Sequence, residues 1–214
     1  DMGPAASPAS RHRMKTPHEP WTMRTAPGTT YQAAQDWVLV HLPSGQGRPA
    51  LVIGSPPGEA RALQAEGWAV AHLDWRPQPP MDGITAVQGD ACALPWSGAT
   101  FDAITSTCVW CHVGLGRYGD PVRPDADLLF LRECRRVMRP DGRLVIMVGP
   151  VGPDRPFIQD GDLHRVTTLQ AFRVACLATG WRPPIMRIWH EDRRTWSEID
   201  QPLKAVQGTP QDYL

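Results

Sequence analysis

Short apolar segments alternate along the chain with segments whose apolar residues recur at helical spacing. Near-continuous apolar runs are typical of strands that are buried on both faces of a parallel sheet. The pattern predicts six strands, at residues 50–53, 68–73, 84–88, 101–109, 143–148 and 185–189. It predicts four helices, at residues 31–42, 59–66, 127–139 and 168–179. This alternation indicates an α/β fold, a single doubly wound and mostly parallel sheet with helices on both faces.

One domain is expected to account for most of the 214 residues. Residues 21–214 are assigned to it, because two full domains would be too small to build separate cores. Residues 1–20 are rich in Pro, Ala, Ser and Arg without an apolar face, which predicts a flexible tail, and the internal Met14 indicates that part of this tail is vector-derived. The helix at 31–42 is expected to pack on the sheet or cover a pocket.

Composition excludes several classes of partner. Lysine plus arginine and aspartate plus glutamate both number 22, so no net charge attracts nucleic acid or an anionic membrane surface. No apolar run reaches the roughly 20 residues of a membrane-spanning helix. The five cysteines, an odd number, favour a reducing compartment over a disulfide framework. A cytoplasmic globular protein is expected, and the sequence leaves open whether it forms a homodimer.

The turns after the first three predicted strands carry residues that suit a nucleotide-like ligand. Gly54 and Gly58 flank the first turn, where glycine lets a ligand approach the backbone N–H groups of the next helix. Asp74 ends the second strand, where a carboxylate can accept both hydroxyls of a ribose, and Trp75 can stack on a base. Asp90 ends the third strand. Simpler readings are a tight turn for the glycines, core packing for the tryptophan and a turn cap for Asp90.

Three segments resemble motifs of the class I S-adenosylmethionine-dependent methyltransferases. LVIGSPPGE is similar to LDIGCGPGE of that family, and GDACALPWSGATFDAITS is similar to GDAxxLPFxDxSFDxVxS. RECRRVMRPDGRLVIMV is similar to RExxRVLKPGGRLVLxx. The resemblance covers residues 50–148 in order and spacing, and its last two motifs are long and specific. HVGLGRYGDP, with the later pair His164 and Arg165, further resembles a branch of bacterial methyltransferase-like proteins.

The resemblance implies a Rossmann-like fold and S-adenosylmethionine as the methyl donor. It also assigns cofactor-binding residues: Gly54, Ser55 and Gly58 at the methionine moiety, Asp74 and Trp75 at the ribose and adenine, Asp90 and Ala91 at the adenine, and Thr107 beside the methyl group. Two residues depart from the family. Val52 stands where an acidic residue is usual, and Pro56 replaces a glycine and removes a backbone donor. Either the turn adopts another conformation, the methionine moiety is held from elsewhere, or cofactor binding is impaired.

The methyl acceptor is expected to bind between two polar loops, residues 112–127 and 150–165. Methyl transfer requires that both reactants are positioned and that the acceptor loses a proton. Histidine suits the second task, so His112 and His164 are the candidate catalytic bases, with surface or packing roles as the alternative. Because both loops are rich in Asp and Arg, the expected acceptor is small and polar. The hydroxyl of a sugar or natural product, methylated on oxygen, fits this description best.

Two further groups of residues suggest a metal. Asp120, Asp160 and Asp162 are candidate ligands for a magnesium ion that would bind acceptor hydroxyls, although such aspartates are usually turn residues and caps. Cys108 and Cys111 have the spacing of a redox or zinc motif, but no second pair at zinc spacing accompanies them in the sequence. The end of a strand, with Cys108 buried, explains these cysteines better.

Two other functions are compatible with the pattern. A nicotinamide-dependent oxidoreductase would share Gly54 and Asp74, but the chain lacks the full Gly-x-Gly-x-x-Gly motif and a Tyr-x-x-x-Lys pair. A non-catalytic module for binding or dimerisation would account for Val52 and Pro56.

Overall fold

A computed structural model describes residues 30–152, 155–159, 163–190 and 195–198. Residues 1–29, which include the predicted tail, lie outside the described part of the chain. The helices are α1 (Thr30–His41), α2 (Pro57–Ala65), α3 (Ala126–Val137) and α4 (Leu169–Ala178). The strands are β1 (Pro49–Ile53), β2 (Ala69–Asp74), β3 (Thr85–Gln88), β4 (Phe101–Thr107), β5 (Met138–Met147), β6 (Phe157–Gln159), β7 (His164–Val166), β8 (Arg187–His190) and β9 (Thr195–Glu198). Within the described residues, no helix has the length and apolarity needed to cross a membrane.

The first five strands form one sheet in the order β3-β2-β1-β4-β5, and all neighbouring strands are parallel. The direction in which strands are added reverses between β1 and β4. Ligands of open α/β sheets bind outside the carboxyl ends of the strands at such a switch point. The predicted doubly wound parallel fold is confirmed, and it indicates where a binding site is to be sought.

The strands β1, β2 and β4 are buried on both faces, to which successive side chains of a strand point in turn. In β1, Leu51 and Ile53 belong to a core that includes residues of α3 and α4. Ala50 and Val52 belong to a second core that includes residues of α1 and α2. All four are fully buried. Helices therefore cover both faces as predicted, and α1 packs on the sheet.

The structure differs from the prediction near the end of the chain. The strand predicted at 185–189 is β8, which pairs antiparallel with β9 in a separate two-stranded sheet. Strands β6 and β7 form another antiparallel pair that the apolar pattern did not predict. These strands are only three or four residues long, so a neighbour in the chain rather than a long apolar face determines their pairing. Ile185, predicted within a strand, is 90% exposed.

Strand β4 ends at Thr107, before the predicted end at residue 109. Cys108 has a φ of +56°, and this left-handed conformation interrupts the strand. The prediction that Cys108 is buried was wrong: Cys108 is half-buried, whereas Cys111 is fully buried. The backbone therefore turns at Cys108 into the loop predicted to contact the acceptor.

Candidate active site

A cleft of about 790 Å³, counting the part open to solvent, lies outside the carboxyl ends of β1, β2 and β4. Eight of the residues predicted from the sequence line it: Gly54, Asp74, Trp75, Asp90, Ala91, Thr107, His112 and Asp120. Ser55, Gly58 and His164 are not part of the lining. One cleft thus contains residues from both the predicted cofactor side and the predicted acceptor side.

The turn after β1 presents its backbone to the cleft. Gly54 has a φ of +60°, and a Cβ there would lie 2.9 Å from Cγ2 of Val109, so only glycine fits. Pro56 precedes α2, whose start has no side-chain cap. Pro57 has no N–H, and the N–H of Glu59 donates to the Pro56 carbonyl at 3.0 Å, so this helix start offers a ligand few backbone donors.

Ser55 is buried next to the cleft and hydrogen-bonds to the end of β4. Its Oγ accepts a hydrogen bond of 2.7 Å from the N–H of Thr107. The Thr107 hydroxyl donates in turn to Oε2 of Glu59, at 2.6 Å. We call Ser55, Glu59 and Thr107 the clasp, because they tie the start of α2 to the end of β4.

Glu59 is a buried acidic residue on the helix that follows β1. Val52, on β1, stands where the family usually has an acidic residue. Val52 pairs with Thr105 in the sheet, and Oγ1 of Thr105 and Oε1 of Glu59 are both buried without a hydrogen-bond partner among the described residues. Burial raises the pKa of Glu59, and the hydrogen bond from Thr107 acts in the opposite direction. Glu59 was missed in the sequence because a glutamate in the first turn of a helix is usually exposed there.

Replacing Glu59 by glutamine is expected to change how stability depends on pH. The folded pKa is raised above its ordinary value of 4.5, so the contribution of Glu59 to stability is fully present below pH 4.5 and is lost as the pH rises through the folded pKa. Glutamine does not titrate and can still accept the Thr107 hydrogen bond. Relative to wild type, the free energy of unfolding of Glu59→Gln should therefore increase between about pH 4 and pH 8, as measured by urea unfolding. A difference that is independent of pH would contradict the raised pKa.

Asp74 ends β2 at the edge of the cleft, and its carboxylate is bonded to Arg76. Oδ1 accepts hydrogen bonds from the backbone N–H (2.8 Å) and Nε (3.2 Å) of Arg76, and Oδ2 accepts one from Nη2 (3.3 Å). Both side chains are buried, and the guanidinium lies 4.8 Å from the ring centroid of Tyr118. A carboxylate has about four acceptor positions, so a ribose hydroxyl would share Asp74 with Arg76.

Asp90 is bonded on both oxygens. Oδ1 accepts a hydrogen bond of 2.8 Å from the N–H of Cys92, which is a turn cap, and Oδ2 forms an ion pair of 2.9 Å with Arg123. Ala91 lines the cleft beside it. The ion pair connects the loop after β3 to the loop after β4. The sequence did not reveal Arg76 or Arg123 as partners, because arginine is common along the whole chain.

Asp120 organises the loop after β4. Its Oδ2 accepts a hydrogen bond from the N–H of Gly114 (2.8 Å), and its Oδ1 accepts one from the N–H of Tyr118 (3.2 Å). The other two predicted magnesium ligands, Asp160 and Asp162, lie outside the described residues. Nothing in the part of the chain that the structure describes supports a magnesium site.

Gly114, whose N–H is bound by Asp120, has a φ of +74°, and a Cβ there would overlap the Cβ of Ala126. Gly114→Ala is expected to lower the free energy of unfolding by about 1–3 kcal/mol through backbone strain alone, with steric repulsion in addition. Gly180→Ala is the matched control, because Gly180 has a φ of +84° but no described atom within 4 Å of its Cβ. Equal losses for the two variants in urea unfolding would show that the contact with Ala126 is unimportant.

Strand β7 brings His164 against His112. The two ring centroids are 4.6 Å apart, with the ring planes inclined by 40°. His112 lines the cleft, and His164 contacts it from outside the lining. The next residue, Arg165, is buried; its N–H donates to the Cys111 carbonyl (2.6 Å) and its Nη1 to the Trp110 carbonyl (3.1 Å). These bonds attach β7 to the loop that carries His112.

Cys111 forms a cluster with the two histidines. One ligand atom from each of the three side chains lies within 4.8 Å of the other two. Burial raises the pKa of the Cys111 thiol to about 12. Burial also lowers the pKa of His112 to about 4, and the nearby His164 and Arg117 act in the same direction. The sequence suggested Cys108 as the partner of Cys111, because only spacing along the chain was visible.

A parallel sheet with a glycine turn after β1, an acid at the end of β2 and a cleft at the switch point defines a Rossmann-like domain for a nucleotide-like cofactor. A family model described as methyltransferase domain matches residues 44–146, which include β1 to β4 and most of β5. The matched segment is a methyltransferase domain of the class I S-adenosylmethionine-dependent type.

Solved structures of methyltransferases share this fold. The 1,6-didemethyltoxoflavin-N1-methyltransferase of Burkholderia thailandensis has 19% identity and a TM-score of 0.61, with 78% of this chain and 74% of that chain covered. A methyltransferase of Haloferax volcanii, in complex with the Trm112 activator, has 16% identity and a TM-score of 0.59, with 82% and 76% covered. Phosphoethanolamine N-methyltransferase 2 of Haemonchus contortus has 16% identity and a TM-score of 0.58, with 76% and 39% covered. Comparison with curated protein sequences gives no match.

Proposed function

We propose that the protein transfers a methyl group from S-adenosylmethionine to the hydroxyl oxygen of a small polar acceptor, a sugar or natural-product intermediate. The observation that carries this proposal is the single cleft, which is lined both by Gly54 and Asp74 and by His112. Cofactor and acceptor would share this cleft, and the polar residues His112 and Asp120 on its acceptor side favour a polar acceptor.

The residues at the cofactor end fit S-adenosylmethionine. Gly54 allows a close approach of the methionine moiety to the backbone. Asp74 keeps an acceptor position for a ribose hydroxyl, while Trp75 and Ala91 contribute apolar surface for adenine. In the reaction, the bond between methyl carbon and sulfonium sulfur breaks with its electron pair left on sulfur, the acceptor oxygen bonds the methyl group, and the acceptor proton is released.

His112 and His164 are proposed to promote loss of the acceptor proton. The ring of His112 faces the cleft, where a bound hydroxyl comes within reach of an imidazole nitrogen. His164 packs against this ring and holds its orientation. The loop after β4, which Asp120 organises, would supply the remaining contacts to the acceptor.

Two of the similar structures support a small-molecule acceptor. The Burkholderia enzyme holds 1,6-didemethyltoxoflavin with S-adenosylhomocysteine, and the Haemonchus enzyme holds phosphomonomethylethanolamine with the same product. Both are named as N-methyltransferases, so nitrogen is the alternative acceptor atom for this chain. Carbon-13 chemical shifts of a labelled methyl group in the product would distinguish oxygen from nitrogen.

A non-catalytic binding domain is the second candidate. The observation in its favour is that the carboxylates of Asp74 and Asp90 are each paired with an arginine, Arg76 and Arg123. These pairs compete with a bound cofactor for the same oxygens.

Calorimetric titration with S-adenosylhomocysteine and with NAD tests the proposal. S-adenosylhomocysteine is expected to bind one to one, and NAD is expected not to bind. Binding of NAD alone would overturn the proposal, and binding of neither would favour the non-catalytic domain. Release of S-adenosylhomocysteine from S-adenosylmethionine in the presence of a polar metabolite extract then measures turnover. Assembly as a homodimer is part of the proposal, and a solution mass of one chain would remove it.

A further inference from the structure

We propose that Cys111, His112 and His164 bind a zinc ion beside the acceptor end of the cleft. The three side chains come from two separate parts of the chain, the loop after β4 and strand β7, and their ligand atoms all lie within 4.8 Å of one another. Nitrogen and thiolate sulfur are the ligands that zinc prefers.

The separation of the ligand atoms is close to that of a zinc site. Zinc bonds of about 2.0–2.1 Å to nitrogen and about 2.3 Å to sulfur place tetrahedral ligand atoms about 3.4–3.6 Å apart. The observed upper limit of 4.8 Å therefore has to shrink by roughly 1 Å, which rotation of the imidazole side chains can supply.

One ring nitrogen of His112 lacks a partner. Nδ1 is buried and has no hydrogen-bond partner among the described residues. A buried polar atom without a partner costs free energy, and a metal ion would remove that cost by binding to it. Nδ1 is therefore the ligand atom that His112 offers.

The protein holds the cluster firmly. Arg165 bonds the carbonyls of Trp110, Cys111 and Val113, so it links the loop carrying two of the ligands to the strand carrying the third. Gly149 packs against Cys111: a Cβ at residue 149 would lie 2.6 Å from its Sγ. A cluster built on such supports needs little reorganisation to bind an ion.

Three protein ligands leave the fourth position of tetrahedral zinc open, as in catalytic zinc sites. Because His112 lines the cleft, this position would be accessible from it. This part of the inference rests on the proposed function: an acceptor hydroxyl bound there would lose its proton more readily, because a zinc ion stabilises the resulting anion. Zinc binding itself requires no acceptor.

Titration of the untagged full chain with Co²⁺, followed by absorption spectroscopy, tests the site. We expect one equivalent to bind, with the visible bands of tetrahedral cobalt and a near-ultraviolet band from thiolate-to-cobalt charge transfer. Zn²⁺ should displace the cobalt and remove both. Cys111→Ser should lose the charge-transfer band, whereas Cys176→Ser, which removes a buried thiol on α4, should keep it. His112→Ala and His164→Ala should each weaken Co²⁺ binding on the order of 100-fold.

Absence of a stoichiometric cobalt spectrum in the wild type would overturn the zinc proposal, as would an unchanged charge-transfer band in Cys111→Ser. The same samples are titrated with S-adenosylhomocysteine. If it binds while cobalt does not, the zinc site fails and the methyltransferase function stands. If cobalt binds as expected while S-adenosylhomocysteine does not, the proposed function fails and the metal site stands.

Discussion

Asp74→Ala is expected to weaken binding of S-adenosylhomocysteine by about 10- to 100-fold, because the hydrogen bond from a ribose hydroxyl to the carboxylate is lost. The same change leaves the buried guanidinium of Arg76 without its ion-pair partner. Removing one member of a buried pair costs about 3–5 kcal/mol, and the free energy of unfolding should fall by that amount. Calorimetry and urea unfolding measure the two effects separately.

Two controls separate binding from stability. Asp74→Ala combined with Arg76→Met removes the uncompensated charge, so most of the stability should return while the affinity does not. Asp102→Ala breaks the more exposed ion pair with Arg139 and should cost less than about 1 kcal/mol. If the double variant recovered cofactor affinity, Asp74 would not hold the ribose.

His112→Ala is expected to lower turnover by about 10²- to 10⁴-fold, the usual contribution of a group that assists proton transfer. Affinity for S-adenosylhomocysteine should be unchanged, because His112 belongs to the acceptor side of the cleft. Release of S-adenosylhomocysteine from S-adenosylmethionine, with a polar metabolite extract as the source of acceptor, is the measurement.

The companion variant is His164→Ala. Since the two rings are in contact, the variants should not be additive, and the double variant should be about as impaired as either single one. His41→Ala is the control, because His41 stacks on Trp37 on α1 and is not part of the cleft lining. Full turnover in His112→Ala would exclude a role in the reaction.

The centre of the main sheet was predictable from sequence because β1, β2 and β4 are buried on both faces. Leu51 to Ile53 on β1 are all apolar, so the run itself reveals a central parallel strand. Strands β6 to β9 carry no such pattern: their partners are set by local pairing that forms once the larger sheet exists. Ile185 is the counterexample: its apolar side chain led to its assignment to a strand, but it lies before β8 and is exposed.

The residues of the candidate site that follow directly from the ends of strands could be predicted from the sequence. Gly54, Asp74 and Asp90 each lie at the end of a strand or within two residues after it, and parallel strands bring their carboxyl ends to one edge. The partners of these residues depend on which side chains the loops bring across the cleft. Arg76 and Arg123 therefore could not be distinguished from the other arginines, and the contact of Cys111 with His164 depends on strand β7, which was not predicted.

The clasp has a consequence for how the two halves of the site can vary. Thr107 bonds Ser55 and Glu59 on the cofactor side, and the next residue, Cys108, begins the loop on the acceptor side. One threonine is thus a shared support, so energetic effects of substitutions in the two halves should be coupled rather than additive. A relative with a different acceptor can change the outer part of the loop after β4. The start of that loop is fixed, because Thr107 is bonded to Ser55 and Glu59 on the cofactor side.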